Sequence, residues 1–180
     1  MTKVAKEDLK IIKKQLGRYP QNIHQIVLRC QMYDNPQVLE TLPFDGKKRV
    51  FPTLYWLSCP FLNKKVSQLE DEGMVKHFTN KIKKNEHWAQ QLADVHNSYA
   101  QKRVLMLTKK DKEKIRAIST DMLKMIKQSG VGGIRDKKGI KCLHAHLADY
   151  LVQEVNPVGK KVYRLLQNEE CAHDCSKNLN

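Results

Sequence analysis

VFPTLYWLSCP, residues Val50 to Pro60, divides the chain into two kinds of pattern. Its aromatic and β-branched residues, followed by a proline, predict an extended strand. Pro52 has no N–H to give to a ladder, so it belongs at an edge or at the start of that strand. Upstream, IHQIVLRCQMY and QVLETLP read as two further strands, separated by the turn signal DNP and followed by FDGKKR. Three short strands with turns between them predict an antiparallel meander. Downstream of Pro60 the β signals cease and the periodicity becomes helical.

The flanks are helical. Leu9, Ile12 and Leu16 predict a helix from about Lys6 to Leu16, stopped by Gly17 and Pro20. After the strands, NKKVSQLEDEG is a helix that Gly73 ends or bends, and the segment from Met74 to Leu107 supplies one bent helix or two. TKKDKEKIRAISTDMLKMIKQSG predicts another, with Thr108 and Asp111 spaced as a capping box and Gly130 as the C-terminal cap. Asn156 followed by Pro157 marks a last helix start. The expected fold class is α+β, a small antiparallel β-meander in the N-terminal third packed against a mostly helical C-terminal part. One domain over residues 1–180 is expected, with an N-terminal helix within 1–20 and a cysteine- and histidine-containing tail at 169–180.

Composition narrows the functional classes. No apolar run approaches the roughly 18 residues a membrane helix needs, and the N-terminus lacks the apolar core of a secretion signal, which predicts a cytoplasmic protein. Five cysteines in that compartment stay reduced, so clustered ones point to metal or redox chemistry rather than disulfides. Thirty-three basic against nineteen acidic side chains give 33 − 19 = +14. Such a charge suits a polyanion partner, namely RNA, polyphosphate or a nucleotide. The same lysines, spread along many segments, also describe ordinary solvated helix faces, and no nucleic-acid-binding motif is present.

GIKCLHAHLADYL, Gly139 to Leu151, carries the densest chemistry. On a helix begun at Ile140, the residues Ile140, Leu143, Leu147, Tyr150 and Leu151 form one apolar stripe, and Cys142, His146 and Asp149 share the opposite face. His144 lies at the margin, so a regular helix cannot aim both histidines at one ion. A helix N-terminus and Lys137, Lys138 and Lys141 favour a Cys142 thiolate, which is a good ligand and a good nucleophile. Cys59 ends a strand, and Cys171, His173 and Cys175 crowd a polar tail that a metal would give a reason to fold. The expected metal ligands are therefore Cys59, Cys142, His144 or His146, and Cys171 or Cys175, holding zinc or an iron-sulfur cluster. The alternatives are a binding module that holds anions through Gly130, Gly132, Gly133, Lys137, Lys138 and Lys141, and a cysteine-dependent enzyme with Cys142 as nucleophile and a histidine as base. His77, His87 and His96 read as surface or core-margin groups, and Trp56 and Trp88 as core aromatics.

Several of these stretches occur together in one family. Arg29 with Cys30, FPTLYWLSCP, VSQLEDEG at Val66 to Gly73, GIKCLHAHLADYL, and NPVG at Asn156 to Gly159 resemble the DUF501 family of uncharacterised bacterial proteins over residues 22–175. The resemblance implies that Cys59 with Pro60, Cys142 and His144 belong to the shared pattern, and that His146 is replaced by apolar residues in some relatives. It implies a bacterial, cytosolic protein and brings no reaction with it. Around Cys30 this chain departs from the pattern, which expects a second cysteine and a glycine nearby.

Overall fold

The computed structural model describes residues 4–166, 171 and 174–177. Helix α1, Lys6–Leu16, precedes strands β1, Ile23–Arg29, β2, Pro36–Thr41, and β3, Tyr55–Leu57. The strands form one antiparallel sheet in the order β1-β2-β3, with Leu39 opposite Trp56 and Val38 opposite Leu57. This is the expected meander.

Both faces of β2 are covered, which explains why consecutive residues Val38 and Leu39 are both apolar and both buried. Val38 joins the main core with Leu57 and Leu147, whereas Leu39 packs with Ile12 of α1 and Ile23 on the other face. The third strand is shorter than the extended, aromatic run containing it, although the Leu54 carbonyl still accepts from Thr41 N–H at 2.8 Å. There the phenol oxygen of Tyr99 accepts hydrogen bonds from the backbone of Leu54 at 2.6 Å and of Tyr55 at 3.3 Å.

The remaining elements are α2, Pro60–Asp71, α3, Met74–Lys83, α4, Glu86–Leu105, α5, Lys109–Ile118, α6, Thr120–Gln128, α7, Leu143–Gln153, and α8, Pro157–Leu166. A short 3-10 turn, Val131–Gly133, stands between α6 and α7. The segment that allowed one bent helix or two is two, because Asn85 caps α4 by accepting from Trp88 N–H at 2.9 Å. The segment expected as one helix from Thr108 is also two: Ser119 is extended and its hydroxyl accepts from Met122 N–H. The capping box of Thr108 and Asp111 forms as expected.

Two boundaries differ from the sequence reading. Helix α6 ends at Ser129 rather than on a glycine cap, and Gly130 has negative φ. Its carbonyls are held from α4 instead. Arg103 is fully buried and donates from Nε to Ile126 O, from Nη1 to Pro52 O and from Nη2 to Ser129 O. Helix α7 starts at Leu143, so Cys142 is an extended N-cap residue outside the helix and shares no helical face with His146.

The face opposite the α7 apolar stripe is not solvated. His146 and Asp149 are as deeply buried as Leu143 and Leu147, since β3, α2, the 3-10 turn and α8 all pack against α7. Ala145 and Ala148 are buried with them, whereas His144, Tyr150 and Leu151 are half-buried, so the deepest side of α7 carries its polar residues.

Candidate functional site

The residues singled out by the sequence fall into three places. The first is the N-terminus of α7. Glu70 of α2 accepts from Leu143 N–H and faces Nδ1 of His144 at 3.1 Å, capping α7 from outside. His144 Nε2 lies 3.4 Å from Ser67 Oγ and 3.2 Å from the carbonyl of Asn63. Serine, histidine and a carboxylate thus stand in the order of a hydrolytic triad, yet a carbonyl can only accept. The Asn63 carbonyl is the nearer of the two groups at Nε2, and 3.4 Å is long for a serine hydroxyl poised to give up its proton. Cys142 also differs from expectation: its thiol is harder to ionise than an ordinary cysteine, first because it is buried and then because Glu70 is near. Amides of Ala145 and His144, and Lys141, pull the other way and lose. Burial thus opposes the activated thiolate expected from the helix dipole and the lysines.

The second place is a polar network within the core. Asn156 Oδ1 accepts from the backbone N–H groups of Val158 and Gly159, so the expected N-cap of α8 is present. The same oxygen faces Nδ1 of His146 at 3.1 Å, and Asn156 Nδ2 donates to Asp149 at 2.8 Å. His146 must therefore carry its proton on Nδ1, leaving Nε2 buried without a partner among the described residues. His96 packs edge-on to His146 with ring centroids 5.7 Å apart. Its Nδ1 accepts from Val131 N–H, and its Nε2 donates to the Gly139 carbonyl. Burial pushes His146 down to about 3 and His96 down to about 4, and pushes Asp149 up to about 6. His96 is thus a core group rather than a surface or core-margin one. These groups hold α4, the 3-10 turn, α7 and α8 together.

The glycine-rich loop belongs to the same network. Val131 N–H is used by His96, Gly130 N–H by the Ile134 carbonyl and Gly133 N–H by the Gly130 carbonyl. Lys137 Nζ reaches the Gln128 carbonyl, and Lys138 N–H is held by Asp136. The amides of Gly130, Val131 and Gly133 are thus committed to the fold, and Lys141 packs its stem near Gly132.

The third place gathers cysteines from distant parts of the chain. Cys59 is the buried N-cap residue of α2, with the amides of Leu62 and Phe61 facing its sulfur without closing a cap hydrogen bond. Burial above all, with Cys175 and Cys171 adding to it, pushes this thiol up to about 11. Cys175 accepts from Gln15 Nε2 at 3.3 Å, and the same amide group donates to the Pro36 carbonyl at 2.8 Å. Cys171 and Cys59 line one surface cleft of about 440 Å³. His173 lies outside the described residues. Among the described residues no three His, Cys, Asp or Glu side chains stand close enough together, as placed, to hold an ion. Of the expected ligands, Cys59, Cys171 and Cys175 therefore share a neighbourhood, and Cys142, His144 and His146 lie elsewhere. Sequence reasoning missed Glu70, whose pairing with His144 has no local signal, and the burial of His96.

An α+β protein with a short meander, a central buried helix and a thiol cluster at one end of the sheet is the class these features define. The family model described as a protein of unknown function, DUF501, matches residues 26–164, and the chain belongs to that family. No match was found among curated proteins or solved structures. No helix among the described residues is long and apolar enough to cross a membrane.

Proposed function

We propose that the protein binds zinc or an iron-sulfur cluster through Cys59, Cys171 and Cys175, and that the metal clips the end of the chain onto α2 and the start of β2. One observation carries this reading: a polar tail with little apolar surface of its own returns across the molecule to a buried cysteine. Gln15 meets Cys175, and Asn35 Nδ2 meets Asp174 at 2.8 Å. Soft thiolates suit zinc and iron-sulfur centres, and ligand binding of this kind contributes folding free energy directly. As placed, the thiols form no cage, so ligation requires rotation about their χ1 bonds toward a common point. The amides of Leu62 and Phe61 already face the Cys59 sulfur and would stabilise it once ionised.

The test is elemental analysis with a visible absorption spectrum on the full chain purified without oxygen, beside Cys59→Ser and Cys142→Ser. Stoichiometric zinc, or iron with sulfide, that vanishes in Cys59→Ser and persists in Cys142→Ser is the expected result. Metal retained at full stoichiometry in Cys59→Ser would overturn the assignment.

A further inference from the structure

We propose that Cys30 is the fourth thiolate of this site, making it a closed tetrathiolate centre; the inference rests on the metal-binding reading above. Three thiolates would leave one position to water, as in a hydrolytic zinc site, whereas four close the centre and make it structural.

The argument begins at the residues flanking β2. Cys30 opens the turn between β1 and β2, in which Cys30 N–H donates to the Asn35 carbonyl at 2.8 Å and Asp34 N–H donates to the Cys30 carbonyl at 2.9 Å. The turn is therefore fixed by its own backbone, and it ends on Asn35, Pro36 and Gln37. Two of the other cysteines, Cys59 and Cys175, are tied to these same three residues. Asn35 donates to Asp174, the residue before Cys175. The Pro36 carbonyl accepts from the Gln15 amide that also holds Cys175. The Pro36 carbonyl accepts as well from Ser58 Oγ at 3.0 Å, and the Gln37 carbonyl accepts from Ser58 N–H at 2.9 Å, in the residue before Cys59.

Cys171 enters by a separate observation, since Cys30, Cys59 and Cys171 line the same cleft. The tail is shaped for its part. Asp174 Oδ1 accepts from Ser176 N–H and Oγ, and Lys177 N–H donates to the Asp174 carbonyl, so Cys175 sits on a defined turn. Cys30, Cys59 and Cys175 are thus tied to one short stretch of backbone from the β1–β2 turn, the start of α2 and the tail, and Cys171 shares a cleft with the first two. Cys142 stands near Glu70, toward the opposite end of α2 from Cys59. Cys30 is absent from the ligands expected from the sequence because RCQMYDNP departs from the family pattern, which expects a second cysteine and a glycine there.

The experiment compares the metal-loaded full chain with Cys30→Ser, Cys59→Ser and Cys142→Ser under a competing chelator, then exchanges the metal for Co²⁺. Cys30→Ser is expected to lose its metal to a chelator concentration that the parent and Cys142→Ser resist. Its Co²⁺ charge-transfer absorption should also drop by the share of one thiolate. Loss in Cys59→Ser with unaltered retention and spectrum in Cys30→Ser overturns the role of Cys30 and leaves the three-thiolate reading standing. Retention in both variants overturns both.

Alkylation guards against a variant that fails to fold. In the unmutated chain, chelation should raise the labelling of Cys30 together with that of Cys59, Cys171 and Cys175. Labelling of Cys30 that ignores the metal counts against the proposal.

Discussion

At the scale of single residues, the ring of His96 fits only because Gly130 has no side chain. A Cβ at Gly130 would lie 2.3 Å from His96 Nδ1 and 2.4 Å from Cγ, closer than atoms approach. The φ of Gly130 is −85°, so the need for glycine is spatial rather than conformational. Gly130→Ala should therefore displace the ring, weaken its bond from Val131 N–H and cost at least the ~1–3 kcal/mol of an overpacked core. Gly46→Ala is the contrast, since nothing lies within 4 Å of its Cβ and only its positive φ of 75° opposes the change. A urea midpoint for Gly130→Ala equal to that of the parent would show that His96 is not locked there. The sequence made Gly130 a helix cap and His96 a surface or core-margin group, because their contact spans 34 positions and leaves no local trace. Asn156 was legible as an N-cap for the opposite reason: its partners are its own neighbours in the chain.

Among elements, boundaries set by local chemistry were readable and those set by distant partners were not. Helix α1 runs from Lys6 to Leu16 as its periodicity and Gly17 dictate, with Gly17 in the left-handed region. The start of α7 is decided instead by Glu70 of α2, which caps Leu143 N–H, so Ile140 reaches the core from an extended segment. The end of α6 is decided by Arg103 of α4. That guanidinium satisfies carbonyls at Ile126, Ser129 and Pro52 with no carboxylate paired to it among the described residues, using the planar fork that lysine lacks. Arg103→Lys should leave at least one of those carbonyls buried and unpaired, at about 1–3 kcal/mol for each. Hydrogen exchange should report the loss first at the α6 C-terminus. Protection there equal to the parent would mean that α6 ends where it does without help from α4.

Across the whole molecule, the buried histidines set how the fold responds to acid. In the unfolded chain His146 and His96 titrate near 6.5, but in the fold burial holds them down to about 3 and about 4. A depressed histidine pKa contributes stability that is complete above the unfolded value and is lost as pH falls toward the folded one. Asp149 acts in the opposite sense: raised to about 6 in the fold, it binds a proton there that the unfolded carboxylate gives up near 3.9. Between roughly pH 4 and 6 the unfolded chain thus holds two more protons on the histidines and one fewer on the aspartate. The net of 2 − 1 = 1 proton makes stability rise with pH by about 1.4 kcal/mol per unit over that window. Exposed carboxylates steepen the same trend, since protonating them adds to a net charge already at +14. The core's share is isolated by His146→Asn, whose amide can still donate to Asn156 but does not titrate. In that variant the two remaining terms cancel, 1 − 1 = 0, so its urea midpoints between pH 4 and 6 should follow a slope shallower than the parent's by about one proton. Parallel slopes for the two proteins would mean that His146 titrates in the fold as it does in the open chain, and the buried network would then be polar in geometry but not in its energetics.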